Sequence, residues 1–133
     1  MKIFFLAYFI FISYLFNIIQ KEKSFEQSIS DGKMIYEDFC IQCHLNNGVG
    51  IEGVYPPLNK SDYLLENIDK SIYSIKYGLK GEIIVNGIKY NGVMINQGLE
   101  DDEITDVMNY ITNTWDNNLN IQITEKRVNE LKK

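Results

Sequence analysis

The stretch Cys40-Ile41-Gln42-Cys43-His44 decides what the rest of the chain has to build. It holds the two cysteines and the single histidine of the chain. The order Cys-x-x-Cys-His is that of c-type haem attachment. Two thiols separated by two residues at a helix end can each bond a haem vinyl group, and the adjacent histidine can bind the iron. The stretch therefore predicts one covalently bound haem c per chain, held by Cys40, Cys43 and His44.

The second axial ligand of such a haem has to be another residue type, and a methionine sulphur is the next strong candidate. Of the four methionines, Met1 belongs to the apolar start of the chain. Met34 and Met108 occupy helical apolar positions, where methionine ordinarily packs in the core. Met94 lies 50 residues beyond His44 in a glycine-flanked loop. We therefore predict Met94 as the sixth ligand, which raises the potential and suits an electron carrier.

Three other roles remain open for the two cysteines. A dithiol redox motif uses the same Cys-x-x-Cys spacing, but it normally accompanies a βαβ pattern, and none precedes Cys40. A zinc site would need a carboxylate to complete two cysteines and one histidine. A disulfide between residues so close in sequence would close a small, strained loop. Colourless purified protein with titratable thiols would indicate a thiol oxidoreductase.

The sequence around the motif predicts helices and one hairpin. Ser30 or Asp31 is expected to cap a first helix that runs to about Cys40. A loop rich in Asn, Gly and Pro follows, and Asn86-Gly87 predicts a two-residue hairpin turn. Shorter helices are expected at 62–67, at 69–77 and after Thr124. The longest helix is indicated by apolar residues at helical spacing: Leu99, Ile104, Val107, Met108, Ile111 and Trp115.

The chain divides into four segments. Residues 1–23 begin with a basic residue and a long apolar run, which is typical of an export signal or a membrane anchor. Residues 24–30 are predicted as a linker, 31–117 as the folded domain, and 118–133 as a C-terminal extension with a short helix. Loss of residues 1–23 would leave 10 basic and 17 acidic residues, a net charge of about −7. Nucleic acid is therefore not an expected partner, because phosphate binding requires basic surface.

From about Asp31 to Asn117 the chain closely resembles the class I cytochrome c family, especially its small bacterial members. The resemblance implies an all-α fold of about four to five helices wrapped around one covalently bound haem, with a small β-hairpin before the methionine loop. Besides the haem motif and Met94, it is carried by Gly32 and Tyr36 in the first helix, Val107 and Tyr110 in the last, and Pro56-Pro57-Leu58.

The resemblance also implies roles for the loop after the haem motif. The Pro56 carbonyl would accept a hydrogen bond from His44 Nδ1, which fixes the ring orientation of a ligand histidine. Leu58 would pack on the haem, so Pro56 and Leu58 join the cofactor-binding residues. Two positions depart from the family pattern. Ile95 stands where proline often follows the methionine, and Leu45 stands where glycine commonly follows the histidine.

The expected function is one-electron transfer between transient donor and acceptor redox proteins, by a monomer that is not an enzyme. Export to the periplasm or to the outer face of the cytoplasmic membrane is expected, with membrane association through residues 3–19. A docking patch is expected at Lys70, Lys76, Lys80 and Lys89. Two alternatives stay open: a cytochrome subunit of a membrane dehydrogenase, reductase or oxidase complex, and a haem sensor or peroxidase with a labile sixth ligand.

Overall fold

The computed structural model of the chain describes residues 8, 9, 11, 12 and 23–133. The predicted signal or anchor, residues 1–23, otherwise lies outside the described residues. Within the described ranges no helix combines the length and the apolarity that crossing a membrane requires. The elements are α1 Phe25–Ile35, a π-helical turn Tyr36–Cys40, α2 Ile41–His44, α3 Asp62–Glu66, α4 Ile68–Tyr77, β1 Leu79–Val85, β2 Ile88–Met94, α5 Asp101–Asn113 and α6 Glu125–Glu130. The expected helical architecture with one small hairpin is confirmed.

Helix α1 begins earlier than predicted. Its N-cap is Ser24, whose hydroxyl accepts the backbone N–H of Gln27 at 3.2 Å. The predicted linker over 24–30 is therefore wrong, because those residues form the first turns of the helix. Ser24 and Ser30 are both capping residue types. The turn after Ser24 is also bound to a distant part of the chain, since the Ser28 hydroxyl donates to Asp106 Oδ1 of α5 at 2.6 Å.

The crossing of α1 and α5 forms the core of the domain. The predicted packing of Gly32 and Tyr36 on α5 is confirmed, with the Tyr36 and Tyr110 rings 5.6 Å apart. Trp115 packs edge-on against Tyr36 at 5.2 Å, but it lies beyond the end of α5 and has φ of +54°. Met108 is fully buried, as predicted. The prediction that Met34 packs in the core is wrong, because its side chain is 57% exposed.

A buried carboxylate lies at this crossing. The Asp106 side chain is only 6% exposed and is held by Lys23 Nζ at 2.5 Å and by the Ser28 hydroxyl. Asn109 Nδ2 donates to the same hydroxyl at 2.9 Å. A buried charge is tolerated only when it is paired and hydrogen-bonded. Lys23, predicted as part of the signal or anchor segment, is therefore bound to the folded domain through Asp106.

Lys23→Gln is expected to lower the melting temperature by about 5 °C at neutral pH, since it leaves the Asp106 carboxylate without its cation. The hydrogen bond to Asp106 raises the pKa of Lys23 above its ordinary value of 10.5. A raised pKa means that the stabilisation is complete below pH 10.5 and is lost as the pH rises through the folded-state value. When thermal unfolding is measured between pH 7 and 11, the melting temperatures of wild type and Lys23→Gln should converge only at the alkaline end.

A matched control is Lys126→Gln, because Lys126 is fully solvent-facing in its pairing with Glu130 at 3.8 Å, with 83% of its side chain exposed. Such surface pairs contribute little. A difference in melting temperature between wild type and Lys23→Gln that stayed constant across the pH range would contradict the ionic role of Lys23.

The hairpin is longer than predicted but turns at the predicted residues. Asn86 and Gly87 both have positive φ, +51° and +79°, which a type I′ turn requires. Met94 is the last residue of β2, paired with Leu79, and does not lie in a loop. Asp62 and Asn86 exchange two hydrogen bonds, at 2.8 and 3.0 Å, between backbone N–H groups and side-chain oxygens. The tip of the hairpin is therefore fixed to the start of α3.

The C-terminal residues complete the core. Thr124 caps α6 by accepting the Arg127 N–H at 3.3 Å, which confirms the predicted final helix. Ile123 and Val128 are buried, and the Asn109 side chain bonds both the N–H and the carbonyl of Ile123, at 2.7 and 3.0 Å. Residues 118–133, predicted as an extension, are therefore an integral part of the domain.

Candidate functional site

Two adjoining cavities between α2, α4 and the hairpin form one crevice. They share six lining residues: Cys40, His44, Pro56, Leu79, Ile83 and Met94. Cys43 adds to the wall of one cavity, and Leu58 adds to the wall of the other. Every residue predicted to bind the cofactor therefore lies on this crevice, although the sequence spreads them over 55 positions.

His44 ends α2 with its ring buried and oriented. Its Nδ1 lies 2.9 Å from the Pro56 carbonyl oxygen. A carbonyl only accepts, so Nδ1 carries the proton, and Nε2 is the unprotonated nitrogen that can bind a metal. Burial lowers the pKa of His44, with the Pro56 hydrogen bond acting in the opposite direction. The ring is therefore neutral and fixed in one tautomer, as a metal-binding histidine needs to be.

The turn after His44 places Leu45 in a backbone conformation that favours glycine. Leu45 has φ of +61° and ψ of 170°, a region that essentially only glycine adopts without strain. The Tyr36 hydroxyl donates to the Leu45 carbonyl at 2.6 Å, and the Gly50 N–H donates to the His44 carbonyl at 3.0 Å. These bonds hold a backbone conformation that costs about 1–3 kcal/mol.

Asn117 fixes the loop that carries Pro56 and Leu58. It is buried, and its Nδ2 donates to the carbonyls of Leu58 at 2.7 Å and Ile111 at 2.8 Å. Its Oδ1 accepts the Lys60 N–H at 2.7 Å. From the sequence, Trp115-Asp116-Asn117 is similar to the Trp-Gly-Asn that often ends the last helix in bacterial members of the family, but this likeness gave Asn117 no role. A buried amide that satisfies backbone groups of a loop is a positioning residue for that loop.

Cys40 and Cys43 form no disulfide with each other, and both lie on the crevice. Burial, with a smaller effect of Cys43, raises the pKa of the Cys40 thiol to about 12. A redox-active dithiol needs a lowered thiol pKa, because the thiolate is the nucleophile. Among the described residues no group of three His, Cys, Asp or Glu side chains is placed to hold a metal ion. The raised pKa of the Cys40 thiol therefore does not favour a dithiol redox motif at this position.

Sequence reasoning missed the wall formed by β1 and α4. Leu79 and Ile83 face the crevice, and their alternation with Lys80 and Glu82 was the available signal. Ser71 of α4 also lines the crevice, and its buried hydroxyl has no hydrogen-bond partner in the part of the chain that the structure describes.

An apolar wall with two thiols, one imidazole, one thioether and an unpaired hydroxyl is a donor set suited to a haem. Its macrocycle is apolar, and its iron takes nitrogen and sulphur ligands. The residues of the crevice therefore fit a covalently bound haem.

The prediction that Lys76 belongs to an exposed docking patch is wrong. Its side chain is 13% exposed, and its ammonium pairs with Asp101 at 2.7 Å. Lys89 is exposed but pairs with Glu82 at 3.0 Å. Lys70 and Lys80 are exposed, and their part in docking stays a prediction.

Comparison with known proteins gives a family match over most of the chain. Residues 29–115 match the family model for cytochrome c. Two cytochrome c-552 proteins of Thermus thermophilus are each 42% identical to the chain over 93 residues. The matches cover 65% of this chain, 69% of one relative and 61% of the other.

Proposed function

Because the chain belongs to the cytochrome c family, as a class I electron carrier and not an enzyme, we propose that it transfers single electrons through one haem c ligated by His44 and Met94. Cys40 and Cys43 would form the two thioether links. The family implies a covalently bound haem c, whose iron, when bound, supplies the ferric–ferrous couple.

One observation supports this proposal above the others: Met94 lies on the same crevice as Cys40 and His44. Of the other methionines that the structure describes, Met34 is exposed and Met108 is buried in the core. Neither lines the crevice. Met94 is therefore the thioether that can complete a His/Met pair.

The residues of this chain prepare the site in three ways. The Pro56 carbonyl keeps the His44 ring in one tautomer. Asn117 holds the Leu58 backbone, and Leu58 contributes apolar surface to the crevice wall. Burial of the ring and an apolar wall favour a fixed, dry site, in which little has to move when an electron arrives.

We further propose an exported protein, placed in the periplasm or at the outer face of the cytoplasmic membrane. Residues 3–19 would act as a signal or anchor, and the protein would be a monomer that meets donor and acceptor proteins transiently. Interfaces of redox partners are usually small and weak, which allows rapid exchange. A stable complex with a membrane oxidoreductase would instead show itself by co-purification at fixed stoichiometry.

The test is an optical spectrum of the protein matured in a host that attaches c-type haem, recorded oxidised and reduced, with a pyridine haemochrome assay. A low-spin spectrum with one covalent haem per chain supports the carrier. Covalent but high-spin haem would indicate a sensor or peroxidase. Protein without haem and with two titratable thiols would overturn the proposal.

Met94→Ala is expected to convert the low-spin ferric haem to a high-spin or water-ligated form and to lower the reduction potential by on the order of 0.1 V. Loss of the thioether removes the ligand that favours ferrous iron. Met34→Ala is the matched control, since Met34 is exposed on α1 and should leave spectrum and potential unchanged. A Met94→Ala protein with an unchanged spectrum would remove Met94 from the ligand set.

A further inference from the structure

The end of α4 is held by the C-terminal segment, residues 118–133, called the strap below. Lys76 Nζ donates to the Val128 carbonyl at 3.0 Å and pairs with Asp101 Oδ1 at 2.7 Å. The neighbouring Tyr77 hydroxyl donates to the Leu131 carbonyl at 3.0 Å. Lys76 therefore joins three separate parts of the chain: α4, the first residue of α5, and the strap.

The same end of α4 contacts the backbone of Met94. Gly78, the residue after α4, has φ of +85°, and a Cβ built on it would lie 2.9 Å from the Met94 carbonyl oxygen. Leu79 is the strand partner of Met94 in the hairpin. The backbone that sets the position of Met94 is therefore two to three residues away from Lys76.

Lys76 also acts on the segment that follows Met94. Residues 95–100 have no regular structure and end at Asp101, the carboxylate that Lys76 binds. Ile95 is 67% exposed, and it lacks the fixed φ with which a proline would stiffen this position. Within the segment, Gln97 Nε2 donates to the Ile95 carbonyl at 2.8 Å and the Gly98 N–H donates to Asn96 Oδ1 at 2.7 Å. Both bonds are local, so the position of the segment relative to α4 and α5 depends on the contacts at its two ends.

The contacts of Lys76 have the strength that this role requires. Its side chain is 13% exposed, and both of its partners are oxygens, one of them ionised. Charge-assisted hydrogen bonds are roughly twice as strong as neutral ones. The hydrogen bond from Lys76 lowers the pKa of Asp101 below its ordinary value.

We propose that Lys76 is a positioning residue for Met94, holding the strap, the end of α4 and the start of α5 together so that the Met94 sulphur stays on the iron. This inference rests on the proposed ligand role of Met94. It replaces the predicted docking role of Lys76 with an internal one. Without Lys76 the hairpin base and residues 95–100 gain alternative conformations, and the population with Met94 detached rises.

The experiment uses the ferric holoprotein and its titration with imidazole, which competes with a methionine for the sixth position. Lys76→Gln should bind imidazole about tenfold more tightly than wild type, with covalent haem content unchanged. Lys76→Arg, which keeps a cation opposite Asp101, should restore most of the wild-type affinity. The low-spin spectrum in the absence of imidazole should weaken in Lys76→Gln and recover in Lys76→Arg.

Lys23→Gln is the matched control, because it also removes a lysine from a partly buried ion pair, but at the crossing of α1 and α5. It should lower the melting temperature without changing imidazole affinity. Equal tightening in Lys23→Gln and Lys76→Gln would mean general destabilisation and would overturn the proposal.

Two further variants keep the test decisive. If Lys76→Gln does not fold, Tyr77→Phe removes only the bond to Leu131 and should tighten imidazole binding in the same direction. Met94→Ala separates the proposed ligand role of Met94 from the proposed positioning role of Lys76. If it binds imidazole more tightly than wild type while Lys76→Gln and Tyr77→Phe do not, Met94 is the ligand and the positioning role is overturned. If Met94→Ala matches wild type, the ligand assignment itself fails, and the positioning role fails with it.

Discussion

Replacing both Cys40 and Cys43 by alanine is expected to yield a protein from which all haem can be extracted by acidified organic solvent. Cys40 and Cys43 are the two cysteines of the chain, and both line the crevice together with His44. Without them any haem is held by axial ligands and packing alone. A denaturing gel stained for haem peroxidase activity and the mass of the intact protein measure the effect, which should be complete loss of covalent haem.

The same double variant is expected to be markedly less stable than the holoprotein. The crevice wall takes residues from α2, α4, α5 and both strands. Packing and axial ligation of a haem occur only in the folded state and stabilise it, and covalent attachment makes these interactions intramolecular. Limited proteolysis should therefore cut the double variant in the hairpin or in residues 95–100, at protease levels that leave the holoprotein intact.

Met34→Ala matured in the same host is the control for both readouts, since Met34 is exposed and does not line the crevice. Haem that stayed attached to the double variant after denaturation would show that attachment uses other groups, and it would contradict the proposed thioether links.

The cysteines, the histidine and the methionine of the crevice could be predicted from sequence because chemistry restricts them, whereas the apolar wall formed by β1 and α4 was not predicted. Only one histidine and two cysteines exist, and elimination among four methionines left Met94. Turn chemistry was equally restrictive, since Asn86-Gly87 permits the positive φ values that a tight hairpin needs. In both cases few residue types can perform the task, so their positions in the sequence are informative.

The start of α1 and the exposure of Met34 could not be predicted by the same means. The buried face of this helix passes through Ser28, Gly32 and Tyr36, and two of these residues are too small or too polar to register as a hydrophobic stripe. Met34 was assigned to the core for its apolarity alone. Which face is buried depends on the close approach of α5, which lies more than 60 residues away in sequence.

Lys76 and the strap illustrate a second limit. A lysine in a helix is ordinarily exposed, and its burial here depends on Asp101 and on the Val128 carbonyl, 25 and 52 residues further along the chain. No sequence pattern near Lys76 indicates that Asp101 or Val128 is its partner. The strap itself carries only a few apolar residues, and Asn109 recruits it to the core by bonding the backbone of Ile123.

Gly32→Ala is expected to destabilise the holoprotein by about 3 kcal/mol, although alanine is the better helix former by about 1 kcal/mol. A Cβ at Gly32 would lie 2.0 Å from the Asp106 carbonyl oxygen and 2.9 Å from Tyr110 Cβ. The first of these is a backbone atom in the middle of α5, which cannot rotate away as a flexible side chain would. The two helices would have to separate, and Tyr36 would lose its packing on Tyr110.

Chemical denaturation of holoprotein checks the sign and size of this effect. Ser30→Ala, at an exposed position of the same helix, is the control and should change stability by a few tenths of a kcal/mol at most. If Gly32→Ala were as stable as wild type, α1 and α5 could separate at this crossing without loss of stability, which would contradict the prediction. Separation at Gly32 would also shift the π-helical turn and the haem motif, because α1 runs into both without a break. We therefore expect the loss of stability to be accompanied by a weaker low-spin haem spectrum, a change that helix propensity alone could not produce.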